Sequence, residues 1–136
     1  MTMKFKLFTL LACSMILTAC QVISPIFVDY NGVRMDVAKW INQQQLLNMQ
    51  QKRSLVQLSK AQQKLYHIEK IKDDEKFKIT QENTIAMHCA HLYLTDHKIQ
   101  QLQSKIFGDA EKQAILEAYN QHFPKIKIDV NTIQCE

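Results

Sequence analysis

The sequence predicts an all-α protein, a small helical bundle or a helical hairpin with one long N-terminal helix. Two observations lead there. The 136 residues hold only 2 Gly and 2 Pro, so a sandwich or barrel with a turn every ~8–12 positions is excluded. Clustered glycines of the kind that cradle phosphates are likewise absent, which removes the nucleotide-binding folds. Between those few breakers, residues 33–71 and 81–107 carry apolar side chains at helical spacing.

Asn31-Gly32 marks a turn. From Val33 to Ile71 there is no Gly or Pro, and Gln, Lys, Leu and Ala dominate, all good helix formers. A continuous helix over this stretch would be ~58 Å long at about 1.5 Å per residue. Val33, Trp40, Leu47, Ser54, Ala61 and Ile68 recur every seven positions, but Gln44 and Gln51 interrupt the adjoining row. The seam is therefore polar in its middle and does not support an isolated coiled coil. Interleaved Leu46, Leu47, Met49, Leu55, Val56 and Leu58 argue against a disordered Gln-rich tract.

Asp73-Asp74-Glu75-Lys76 reads as a charged connection, and Thr80 as the cap of a second helix from Gln81 to Phe107. Its stripe is Ile85, Cys89, Leu92, Ile99, Leu102 and Ile106. Gly108 suits the helix end, Asp109 is expected to cap a third helix to His122, and Phe123-Pro124 stops it. That third helix buries Ala110, Ala114, Ile115, Ala118 and Tyr119. In the tail, Ile126, Ile128 and Val130 alternate with charged residues in a strand-like way, yet a lone strand pair is marginal. An extended tail is expected instead.

Lys4 and Lys6 precede an apolar run from Leu7 to Leu17, too short to span a ~30 Å hydrocarbon core. The run ends in Leu17-Thr18-Ala19-Cys20, which resembles the lipobox of bacterial lipoproteins. The resemblance covers residues 1–20 only. It implies a cleaved signal peptide over residues 1–19, a lipidated Cys20 opening a tether over 20–31, and a single helical domain over 32–136. Acyl chains on Cys20 would anchor the protein to a membrane. Gln21 stands where an inner-membrane retention signal would place Asp, so the resemblance implies the outer membrane, facing the periplasm.

With Cys13 removed and Cys20 acylated, Cys89 and Cys135 remain as an even pair. In an oxidising compartment such a pair is expected to form a disulfide that pins the tail. Across their separation of 46 residues, it would contribute about 4 kcal/mol in the chain-entropy picture. Loss of Lys4 and Lys6 also leaves fifteen basic against thirteen acidic side chains, so the formal charge falls from +4 to +2. Lys52, Arg53, Lys60, Lys64, Lys70, Lys72, Lys76 and Lys78 cluster in sequence. They read as a solvated face or as contacts to an anionic partner such as lipid headgroups. Nucleic acid is not expected as a partner of an exported protein.

His88 and His91 share a helix face, whereas Cys89 points ~200° away from His91. Two histidines without a third ligand make a weak metal candidate. No H-E-x-x-H or G-x-S-x-G occurs, and no enzyme signature emerges. No cofactor is expected. The long first helix has surplus apolar residues, and Trp40, Ile41 and Leu47 are the expected surface for another envelope protein or for self-association. Alternatives are a metal- or small-ligand-binding protein using His88 and His91, and a holdase or inhibitor acting through the same apolar helix surface.

Overall fold

The computed structural model describes residues 32–136. The expected signal peptide, Cys20 and the tether over 20–31 therefore all lie outside the described residues. Five α-helices follow in order: α1 (Met35–Asn42), α2 (Met49–Gln63), α3 (Asp73–Tyr93), α4 (Asp96–Phe107) and α5 (Lys112–His122). Short 3-10 turns occupy Ile68–Lys70 and Val130–Thr132. No strand occurs among the described residues. The all-α bundle with a disulfide-pinned extended tail is thus the observed architecture.

The long first helix is corrected to two. After Ile41 the chain turns, with Gln44 N donating to Ile41 O at 3.1 Å and Leu47 N donating to Gln44 O at 3.2 Å. Asn48 then starts α2 through a capping box. Its side chain accepts from Gln51 N at 2.9 Å, while the Gln51 side chain accepts from Asn48 N at 3.0 Å. These bonds satisfy donors that a helix start otherwise leaves bare. The break lets α1 fold back on α2 and α4, so Val37 and Ile41 enter the core, each fully buried. A straight helix would have left them beyond its partners.

α2 is the central element, packed mainly on α3 and also on α4 and α1. Leu55, Leu58 and Leu65 are fully buried, each contributing roughly 1.5–3 kcal/mol by leaving water. Ser54, Ser59, Ala61 and Gln62 are buried on α2 as well. Ala86, Cys89 and Ala90 are among the buried residues of α3. Small side chains on both helices allow close backbone approach. Beyond Gln63 the chain is turned by His67 in the left-handed region at φ 60°, which ends any continuation toward Ile71.

α3 begins earlier than expected. Asp73, Asp74 and Glu75 form its first turn, where carboxylates complement the positive helix end. Thr80 is not a cap; it lies inside the helix and is buried. The expected 27-residue second helix breaks at Leu94-Thr95. The Thr95 hydroxyl accepts from Lys98 N at 3.2 Å and starts α4. Ile99, Leu102 and Ile106 are buried as expected, but Leu92 is 59% exposed.

Gly108 ends α4 at φ 78°, a conformation glycine adopts without strain. Asp109 does not cap α5. The intervening turn is closed by Lys112 N donating to Gly108 O at 3.0 Å, and no side chain caps the helix. α5 buries no residue fully. Ile115, Leu116 and Tyr119 lean on the core, whereas Ala110 and Ala114 are exposed. Phe123 closes that side, its ring 4.9 Å from Tyr119. Among the described residues no helix is long and apolar enough to cross a membrane.

Candidate interaction surface

Cys89 and Cys135 are disulfide-bonded, with Cα atoms 5.6 Å apart. The last residue extends the attachment from α3 to α2. Gln50 Nε2 donates to Glu136 O at 2.9 Å, and Lys60 Nζ lies 3.3 Å from Glu136 Oε2. The tail thus straps the α2–α3 pair.

The three expected contact residues separate. Ile41 is fully buried and unreachable by a partner. Its position on the inner face of α1 overturns its expected surface role. Trp40 and Leu47 are half-buried and lean on the same core. Leu46, another of the surplus apolar residues expected on the long first helix, is 99% exposed. It sits in the α1–α2 turn that the continuous-helix reading did not contain. Gln51 Nε2 donates to Tyr93 O at 3.2 Å, bringing the start of α2 to the end of α3. There Leu92 and Tyr93 are 59% and 39% exposed.

Against Trp40 lies an open groove of about 570 Å³, walled by α4 and the start of α5. Lys98 Nζ sits 5.7 Å above the indole centroid and donates to Gln44 Oε1 at 2.8 Å. Gln44 in turn donates to Trp40 O at 3.2 Å. Farther along, Lys112 Nζ donates to Ser104 Oγ at 2.9 Å, and Lys105 also lines the groove. The sequence contains a cue, since Lys98, Lys105 and Lys112 are seven residues apart. The helix break between Lys105 and Lys112 hides their meeting from helical periodicity.

The basic run of the first half is dispersed. Lys52 is buried, its Nζ donating to Asn42 O at 3.4 Å. Lys60 pairs with Glu136, Lys64 with Glu82 and Lys76 with Asp73. At the other end, Arg34 forks onto Asp36, with Nε to Oδ1 at 2.5 Å and Nη2 to Oδ2 at 3.0 Å. That hydrogen bonding holds the Asp36 carboxyl below its ordinary value and raises the guanidinium of Arg34. Arg34 also donates to Ile106 O and Lys105 O, each at 3.0 Å. It thereby satisfies the carbonyl end of α4.

His91 Nδ1 lies 3.2 Å from Asp96 Oδ1, and His88 is half-buried. Among the described residues no group of three or more His, Cys, Asp or Glu side chains is placed to hold a metal ion. Together these features define a disulfide-strapped five-helix bundle with a basic groove beside its one Trp. Comparison with protein families, with curated proteins and with solved structures finds no match to this chain.

Proposed function

We propose that the chain is a lipid-anchored protein of the bacterial cell envelope that serves as an adaptor, binding another envelope protein through its apolar α1–α2 turn. Leu46, 99% exposed beside half-buried Leu47 and Trp40, is the observation that carries this reading. A leucine so fully in water adds nothing to the fold, and burial under a partner would release roughly 1.5–3 kcal/mol. The lipobox-like Leu17-Thr18-Ala19-Cys20 supports the anchor. The Cys89–Cys135 disulfide suits an oxidising compartment. Confinement by the lipid would raise the effective concentration of the domain near membrane partners.

The test is a photo-crosslinking residue at Leu46 in intact cells. One discrete partner, identified by mass spectrometry and lost from a chain carrying Leu47→Ser, is the expected result. Absence of any adduct at Leu46, with the protein folded and present, would overturn the adaptor reading. The anchor is tested separately: Cys20→Ser is expected to abolish acylation and release the protein from membranes, and retention of both would refute it.

A further inference from the structure

We infer that the groove between Trp40 and α4 is a docking site for an acidic peptide segment, its carboxylates held by Lys98 and Lys112. The inference rests on the adaptor reading and specifies the chemistry of the partner. Lys98 and Lys112 are positioned by neutral oxygens, Gln44 Oε1 at 2.8 Å and Ser104 Oγ at 2.9 Å. Among the described residues no carboxylate lies within 4 Å of either ammonium group. By contrast, Lys60, Lys64, Lys76 and Lys105 each have such a partner. Two cations in one groove therefore have fixed directions and unneutralised charge, and Asp109 is the lone carboxylate among the lining residues.

Preordered donors bind an anion without the entropy loss of fixing two lysine side chains on arrival. Charge complementarity of this kind also steers association. The occupant is a peptide rather than a glycan because of the indole. A sugar ring would stack on the face of Trp40, where Lys98 Nζ already stands 5.7 Å from the centroid. Gln44, Gln100 and Gln101 line the same groove and offer both donors and acceptors to a peptide backbone.

Trp40 is the single tryptophan of the chain, so its emission reports directly on this groove. The experiment titrates the full chain with poly-L-glutamate, and with alginate, which carries carboxylates on a sugar backbone. Poly-L-glutamate is expected to change Trp40 emission saturably and to lose affinity as salt rises. Lys98→Gln and Lys112→Gln are each expected to weaken binding roughly fivefold or more, as loss of a charge-assisted hydrogen bond does, with unchanged urea midpoints. No emission change would overturn the inference, as would a response that survives both substitutions. Alginate binding as tightly as poly-L-glutamate would reassign the groove to a glycan and overturn it too. A partner crosslinked at Leu46 with no response to poly-L-glutamate would sink the groove inference alone. A glutamate response without any crosslink would sink the adaptor reading alone.

Discussion

Cys135, the penultimate residue, is bonded to Cys89 in the buried face of α3, and the adjoining Glu136 side chain reaches Lys60 on α2 at 3.3 Å. The tail between Phe123 and Cys135 has no regular structure beyond one 3-10 turn. Its position therefore depends on this terminal attachment and on contacts such as Ile126 beside the α3–α5 groove.

Replacing both cysteines, Cys89→Ala with Cys135→Ser, is expected to lower the free energy of unfolding by about 2–4 kcal/mol, in line with a closed loop of this length. Urea denaturation of the oxidised wild type and the variant measures the difference. Hydrogen exchange should locate the first loss of protection in the tail. A variant as stable as the parent would show that the tail contributes only local order.

The helix class, the buried stripe Ile99, Leu102 and Ile106, and the Cys89–Cys135 pair were all legible in the sequence. Each rests on a local or pairwise signal. Element ends were less legible because they were set by side-chain caps at residues without a breaker. Asn48 and Thr95 divide runs that hold no Gly or Pro. The α2–α3 contact was also hidden, since Ser59, Ala61, Ala86 and Ala90 are buried there without forming a large apolar stripe. The groove was missed for a related reason: Lys98 and Lys112 belong to different helices.

Asn48→Ala removes the acceptor for Gln51 N and leaves only the reciprocal bond that Gln51 Oε1 accepts from the backbone N–H of residue 48. A loss of about 1 kcal/mol is expected, within the range of N-cap deletions. The urea midpoint should fall with no change in the slope, because the folded core is retained. Asn48→Asp should recover most of the loss, since aspartate accepts the same bond. Equal behaviour of the alanine and aspartate variants would remove the cap from the list of stabilising contacts.

Asp36 provides a pH dependence of known sign. Its carboxyl is held below the ordinary 3.8, first by the hydrogen bond from Arg34. The unfolded chain therefore binds the proton more readily than the folded one. The contribution is fully present above the unfolded value and is lost as pH falls through the lower folded value. Both side chains are more than two-fifths exposed, so solvent screening keeps the effect small. Stability of Asp36→Asn is expected to fall less steeply than that of wild type as pH is lowered below about 4. Parallel curves for the two proteins would show that the ion pair adds nothing to folding.

Ile41 and Leu46 stand five residues apart and are expected to respond in opposite ways. Ile41 is fully buried among α1, α2 and α4, while Leu46 is 99% exposed. Ile41→Ala deletes buried methyl groups and leaves a void, so a loss of about 2–5 kcal/mol is expected. Leu46→Ser removes no contact of the core and should change stability by less than about 0.5 kcal/mol. Partner crosslinking should follow the reverse order once populations of folded protein are matched. Ile41→Val, milder at about 0.5–1.5 kcal/mol, should keep crosslinking through Leu47 intact, whereas Leu46→Ser should abolish it. If Leu46→Ser instead lowers the urea midpoint as far as Ile41→Ala, the turn is part of the folded core rather than a surface awaiting a partner.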